Sequence, residues 1–132
     1  MALTDAMSWL LTQAEAISGV SAAPTSPPEE TSNFPFAVVK PATGEFQILG
    51  GFTTDFHQVW VEIHVSRADF SLGYKDDYAV ESFIAKLTAD AEMGGNGLLE
   101  PGNPTVEFGE MQFAGIDTIG FRYTVPVKIL TS

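Results

Sequence analysis

The end of the chain alternates strictly between two kinds of side chain. From Ile119 to Ile129, the odd positions carry large apolar or aromatic residues, and the even positions carry Gly, Arg, Thr, Pro and Lys. A period of two is typical of a β-strand with one face in a core and the other against water or a partner. Gly115 lies between this strand and a similar segment that begins at Val106. The chain is therefore predicted to end in a β-hairpin that carries no catalytic group.

Length and charge indicate one folded domain, residues 1–132, that does not capture nucleic acid directly. A chain of 132 residues, 45% of them hydrophobic, can bury roughly two thirds of its unfolded surface. The formal net charge is −11, from 17 acidic and 6 basic residues, and the basic residues are scattered. Because phosphate binding depends on clustered Lys and Arg, this balance argues against nucleic acid or an anionic membrane as the ligand. Self-repulsion that keeps the protein soluble is the simplest interpretation of the charge.

Cysteine and targeting signals add further exclusions. The chain has no cysteine, so a disulfide framework and thiolate chemistry are excluded. Asp5 and Glu15 interrupt the apolar N-terminus, and no basic segment precedes it, so we do not expect a signal peptide. No apolar run reaches the ~20 residues that a membrane-spanning helix needs. We therefore expect no membrane contact.

Apolar spacing predicts an α+β fold. Two segments have apolar side chains at helical spacing, and both are expected to pack on one face of a sheet. That sheet is predicted to be single, mostly antiparallel and built from about four or five strands, in the order α-β-β-β-α-β-β. The first helix is predicted at residues 4–17 and the second begins at Asp76 and Asp77. Strands are predicted at 36–40, 45–49 and 56–67 and in the final hairpin, with a turn at 41–44.

Two faces of the central strand differ in character. Val59 and Ile63 share the apolar face, which we expect the helices to cover. Trp60, Glu62 and His64 share the other face, which this arrangement leaves over.

Two long connections are predicted to carry partner contacts. Residues 18–33 are rich in proline, including Pro27 and Pro28, and residues 50–55 include Phe52. Binding residues usually lie on loops held by a rigid sheet. The glycine run at 94–97 has no Lys, so it is predicted to end the second helix and not to bind phosphate.

Polar residues form no catalytic or metal-binding pattern. His57 and His64 are seven residues apart, so they point to opposite faces of one strand and cannot share a metal. We interpret both as surface residues. Asp69, Asp76 and Asp77 lack the ligand spacing of an EF-hand. We expect no enzyme activity, no catalytic or metal site and no cofactor.

Two residues of the strands favour subunit contact. Trp60 is a large aromatic residue on a polar face, where it needs either local packing, for example on Phe52 or Phe46, or a partner. Pro126 cannot donate a ladder hydrogen bond, so the last strand is predicted to be a sheet edge that a neighbouring subunit can cover. The candidate subunit or partner contacts are Pro27, Pro28, Phe52, Trp60, Glu62, Arg122 and Pro126.

Three segments follow one another along the chain: FPFAVVKPATGE at 34–45, HQVWVEIHVSR at 57–67, and the stretch that runs from the FG pair at 108 to GIDTIGFR at 115–122. In this order they resemble the tail terminator proteins of long-tailed bacteriophages, which complete the tail and join it to the head. The Pro27-Pro28-Glu29 loop also fits. Each segment alone is a strand and a turn, so the ordered series carries the resemblance.

This resemblance implies a structural virion protein. Such a protein forms a homohexameric ring that caps the tail tube, ends tail polymerisation and meets the head–tail connector or neck protein. DNA passes through its lumen without specific binding. The implied location is the tail or neck of the virion, after assembly in the host cytoplasm. Two alternatives stay open: another neck-ring or tail-tube component, and a small acidic ligand-binding or enzyme accessory domain that uses the Trp60 and His64 face as a pocket.

Overall fold

The fold comes from a computed structural model that describes residues 2–17, 20–23, 35–49, 52–65, 80–100 and 102–131. Its elements, in chain order, are α1 (Leu3–Glu15), β1 (Ser21–Ala22), β2 (Phe36–Leu49), β3 (Phe52–Val65), α2 (Val80–Ala89), β4 (Thr105–Phe113) and β5 (Ile116–Thr131). The strands form one sheet in the order β1-β2-β3-β5-β4. All neighbours are antiparallel except β1 and β2, which are parallel. The predicted α+β class with a single, mostly antiparallel sheet is confirmed.

Both described helices cover one face of the sheet, as predicted. α1 buries Ala6, Leu10 and Ala14, which lie four residues apart on one side of the helix. On α2, the ring of Phe83 lies 4.6 Å from the ring of Tyr123 on β5. Neither described helix is long and apolar enough to cross a membrane. We call this covered side the helix face, and the other side the open face.

Alternation along β3 and β5 places the core on the helix face. The buried apolar cluster takes Val59, Val61 and Ile63 from β3 and every odd residue of β5 from Phe121 to Ile129. Because successive side chains alternate between the two faces, the even residues of both strands belong to the open face. The period of two in the sequence therefore identified the core correctly.

β2 is one continuous strand, which corrects the predicted turn at residues 41–44. Pro41 pairs with Val59 and Thr43 pairs with Gln58, so Ala42 is one extra residue in the ladder. A β-bulge of this kind absorbs a proline and a glycine without reversing the chain. The predicted strands 36–40 and 45–49 are thus two halves of β2. The observed order of elements still matches the predicted order, because β1 supplies one strand that was not predicted.

The predicted contact loops are shorter than expected. Residues 52–55 belong to β3, with Phe52 as its first residue, so the loop at 50–55 is wrong for most of its length. Ser21–Ala22 form β1, inside the segment interpreted as a Pro-rich connection. Pro27 and Pro28 lie outside the described residues.

Pro126 does not lie on an edge strand, because β5 is between β3 and β4 in the sheet. The ladder with β4 ends where Thr105 pairs with Thr124, before Pro126 is reached. The amide of Lys128, two residues later, donates to the carbonyl of Leu98 on that same side. The nitrogen of Pro126 therefore points to a gap between two partners, which is where a residue without an N–H can be placed.

α2 ends at Ala89, before the glycine run that was predicted to end it. The carboxylate of Asp90 accepts hydrogen bonds from the backbone amides of Glu92, at 3.2 Å, and Gly94, at 2.9 Å. These bonds lead the chain into a 3₁₀ turn at Met93–Gly95. Asp69, Asp76 and Asp77 lie outside the described residues.

The final hairpin forms as predicted. β4 and β5 are joined by Ala114 and Gly115, whose φ angles are 50° and 82°. Two consecutive residues with positive φ are typical of the tight turn that suits the twist of a two-stranded ribbon.

Candidate functional site

A carboxylate at the centre of the open face collects three polar partners. Glu62 accepts from Arg122 Nε at 2.8 Å through Oε2, and its Oε1 lies 3.2 Å from Lys40 Nζ and 2.9 Å from His64 Nε2. The other ring nitrogen of His64 lies 2.6 Å from the Thr118 hydroxyl. We call these five residues the Glu62 cluster. The ladder itself assembles it, because Glu62 pairs directly with Arg122 across β3 and β5.

The cluster holds Glu62 as an anion. Burial by itself raises the pKa of the Glu62 carboxyl, but hydrogen bonds from His64, Arg122 and Lys40 outweigh burial and lower the pKa to about 2. Glu62 and His64 have no exposed surface, whereas the side chains of Lys40 and Arg122 are 42% and 30% exposed. A carboxylate that stays ionised and is fully enclosed does not exchange protons with a ligand near neutral pH. Its role is to fix charges inside the sheet.

Trp60 is covered by a cation from its own chain. The guanidinium carbon of Arg122 lies 4.1 Å from the centre of the Trp60 ring, within the range of a cation–π contact. Arg122 therefore joins the indole to Glu62, and Trp60 is half-buried. The local packing that Trp60 needs is supplied by Arg122, which the sequence analysis did not consider for this role.

Aromatic rings enclose His64. The ring of Phe36 stacks on His64 with centroids 5.1 Å apart, and the ring of Phe113 is 5.8 Å from His64. Phe36 and Phe113 also meet edge to face at 4.9 Å. The interpretation of His64 as a surface residue is therefore wrong: cross-strand pairing with Phe36 places it inside an aromatic cage.

His57 is buried as well, on the helix face. Its Nε2 lies 3.8 Å from the Asp55 carboxylate, and Phe46 meets its ring edge to face. His57 and His64 do lie on opposite faces, as predicted. Among the residues that the structure describes, no three potential metal ligands come together.

A shallow cleft borders the cluster at the β4–β5 hairpin. It has a volume of about 520 Å³ and is lined by Glu110, Met111, Gln112, Asp117 and Arg122. Asp117 accepts from the Gln112 side-chain amide at 3.1 Å. The cleft is polar, and Arg122 is its single cationic lining residue among those described.

The second candidate region is the part of the β2–β3 hairpin nearest its tip. Residues 41–49 and 52–56 form this part, which we call the outer arm. Of the described residues, none from the outer arm belongs to the buried apolar cluster. Phe46 on the arm is 62% exposed, and Leu130 at the same end of β5 is 44% exposed. They are the exposed large hydrophobic residues of the described chain, and neither was predicted as a contact.

Two apolar grooves lie beside the helices. The groove between α2 and β4 has a volume of about 370 Å³ and is lined by Ile84, Leu87, Thr88, Leu99, Asn103, Pro104, Thr105 and Val106. The groove between α1 and β2 has a volume of about 280 Å³ and is lined by Thr4, Met7, Ser8, Leu11 and Val39. We call them the α2 groove and the α1 groove.

The structure brings together only part of the predicted contact set. Trp60, Glu62 and Arg122 form one cluster, and Pro126 is buried on β5. Glu62 has no exposed surface with which to meet a partner. Phe52 begins β3 at the tip of the outer arm. That these residues contact a subunit or partner stays a prediction.

Comparisons with known proteins identify no relative of this chain. No protein-family model matches the chain, and the search of curated proteins found no match.

Proposed function

We propose that this chain is a structural protein of a bacteriophage tail that assembles into a ring, namely a tail terminator. In this proposal, copies form a hexamer that caps the tail tube, ends its polymerisation and meets the head-side connector. DNA passes through the lumen, and the ring is located at the tail or neck of the virion. The observation that carries the proposal is the outer arm with exposed Phe46.

The outer arm offers exposed apolar surface that a second chain can cover. Aromatic residues are enriched in protein–protein interfaces, and the ring of Phe46 on the arm is largely exposed. Among the described strands, only β1 lies beyond β2, and it pairs with Phe36 and Ala37 alone, so no described strand covers the outer edge of the arm. Proteins usually cover or interrupt exposed strand edges, and a neighbouring subunit is one way to cover them.

The segments that carry the family resemblance lie in one sheet. Residues 36–45 of the first segment are in β2, residues 57–65 of the second are in β3, and the third runs through β4 and β5. β2, β3 and β5 are neighbours, and β4 completes the sheet. The resemblance therefore concerns the described framework of the protein and its β2–β3 hairpin, which supports an assembly role.

The ligand-binding alternative loses its strongest feature. It requires the Trp60 and His64 face to act as a pocket, but Arg122 covers Trp60 and His64 has no exposed surface. The Glu62 carboxylate there is saturated by three partners. A ligand would have to displace contacts that hold the sheet together.

Mass in solution and imaging test the proposal. We expect light scattering at increasing concentration to detect six copies of the 14.2 kDa chain, and negative-stain images to show rings with a central channel. Because some rings form only on their partner, the same measurements are to be made with the tail tube protein of the same virus. A strictly monomeric chain under both conditions would rule out the proposal.

A further inference from the structure

We propose that Phe46 of one copy packs into the α2 groove of the next copy, which links copies head to tail. This inference rests on the proposed ring and names the two surfaces that build it. Phe46 supplies the inserted side chain, because its ring is largely exposed while its edge is held by His57. A side chain that is already oriented loses less conformational freedom when it binds.

The α2 groove has the size and chemistry to receive this ring. Its volume of about 370 Å³ exceeds the ~150 Å³ cavity that holds a benzene molecule in a protein core. Ile84, Leu87, Leu99 and Val106 give it apolar walls. Thr88 and Asn103 are exposed at its border, so the groove is open to an approaching chain.

Position in the sheet makes the two features complementary. Phe46 is on β2, whereas the α2 groove borders β4, at the opposite end of the strand order. Both lie on the helix face: Phe46 pairs with Asp55, in line with Ile129, and Val106 pairs with Tyr123. They also lie at similar heights along the strands, because Leu99 follows Leu98, which bridges to Lys128. A copy displaced sideways along the sheet therefore brings Phe46 towards the Leu99 end of the groove.

Symmetry separates this contact from its competitor. The α1 groove borders β2, on the same side of the sheet as Phe46. Insertion there allows a reciprocal contact, and a reciprocal contact closes as a two-fold dimer with no further free site. Insertion into the α2 groove uses a different surface on each copy. A pair of copies therefore keeps one free Phe46 and one free α2 groove. Such contacts continue until they close as a ring.

Charge predicts how the contact responds to salt. Each copy has a net charge of −11, and Glu45 and Glu107, the sequence neighbours of Phe46 and Val106, are exposed. An apolar contact between copies that repel one another strengthens when salt screens the repulsion. We expect association to increase as salt is raised, the opposite of an interface built on ion pairs.

Substitutions on each surface test the proposal by sedimentation velocity of the full chain. We expect Phe46→Ala to weaken association at least about ten-fold, as the loss of a buried aromatic contact does. Thr88→Glu places a charge at the border of the groove and is expected to act similarly. Thr12→Glu is its matched control, because Thr12 and Thr88 are both exposed helical residues whose hydroxyls bond to a carbonyl of the preceding turn.

Disulfide trapping identifies the partner surface directly, since the chain has no cysteine of its own. Phe46→Cys and Asn103→Cys, both on the helix face, are separated in one chain by at least roughly 14 Å, three strand spacings, too far for an internal disulfide. Oxidation is expected to give a ladder of linked chains that ends at the ring size, and adding Thr88→Glu is expected to remove it. Circular dichroism confirms that each variant is folded.

Each result has a separate meaning. A ring that survives both Phe46→Ala and Thr88→Glu would overturn this inference and leave the proposed function standing. A ladder that stops at dimers would assign Phe46 to the α1 groove and also overturn it. A wild-type chain that never associates, alone or with the tail tube protein, would overturn the proposed function and this inference together.

Discussion

The inner and outer halves of the β2–β3 hairpin are built from the same two strands but are stabilised differently. The inner half has α1 packed on one face and the Glu62 cluster on the other. The outer arm contributes no residue to the core among those described, and carries Phe46 in a largely exposed position. The difference shows that residues predicted to contact a partner can instead stabilise the fold. Trp60, Glu62 and Arg122 contact one another, whereas the ring of Phe46 on the arm stays largely exposed.

The largest effect is expected at Gly120 in the inner half. A Cβ atom there would lie 1.9 Å from the backbone carbonyl oxygen of Ile63, so β3 and β5 would have to separate. We expect Gly120→Ala to reduce the free energy of unfolding by about 3 kcal/mol or more. Gly109, its cross-strand neighbour on β4, is the matched control, because a Cβ there meets nothing within 4 Å. Urea unfolding of both variants checks this; equal stability would show that the inner sheet is loosely packed.

The next effect concerns the charge of Glu62. Glu62→Gln keeps the shape and removes the charge that Lys40, Arg122 and His64 share. A fall in pKa from 4.5 to about 2 corresponds to about 2–3 kcal/mol at neutral pH, after allowance for water around Lys40 and Arg122. Glu107→Gln is the control, since Glu107 is exposed opposite the same arginine, and we expect a change within about 0.5 kcal/mol. A loss as small in Glu62→Gln would show that the cluster does not stabilise the inner half.

The same carboxylate predicts an acid-sensitive fold. The folded pKa of Glu62 lies below its ordinary value, so its contribution is complete above about pH 4.5 and is lost as the pH falls towards 2. We expect the free energy of unfolding of the wild type to fall more steeply across this window than that of Glu62→Gln. Denaturation curves at pH 6, 4 and 3 measure the two slopes. Parallel slopes would contradict the assignment of the acid sensitivity to Glu62.

A smaller effect is expected for the contact between Arg122 and Trp60. Arg122→Lys keeps the charge but loses the planar group that lies over the indole. We expect a loss of about 1 kcal/mol and a red shift of Trp60 fluorescence, measured with Trp9→Phe present so that one tryptophan reports. Lys86→Arg, a reverse exchange on α2, serves as the control. Unchanged emission in Arg122→Lys would mean that Arg122 does not shield Trp60.

Part of the fold and of the candidate site could be predicted from the sequence. The alternation in β3 and β5 identified the core face, and the Ala114–Gly115 turn followed from its glycine, because both depend on neighbours along the chain. Pro41 was interpreted as part of a turn, since the bulge that accommodates it exists only through pairing with β3. The burial of Glu62 and His64 was missed for the same kind of reason: alternation separates two faces but does not reveal that Phe36, Phe113 and Arg122 cover the second one. Phe46 was considered only as a packing partner for Trp60, but the bulge at Ala42 places it on the helix face, opposite Trp60.

The smallest effect on stability is expected on the outer arm. It tests whether the arm differs from the inner half in its contribution to the folded core. Phe46→Ala removes a ring that is 62% exposed and touches His57 at its edge, so little apolar burial is lost. We expect the free energy of unfolding of the monomer to change by less than about 1 kcal/mol. Phe83→Ala makes the same substitution at a fully buried position against Tyr123, where truncation costs about 3–5 kcal/mol. Thermal unfolding at a concentration below association compares the two variants. If Phe46→Ala were as destabilising as Phe83→Ala, the arm would belong to the folded core, and its phenylalanine would be a structural residue with no surplus surface to offer a neighbour.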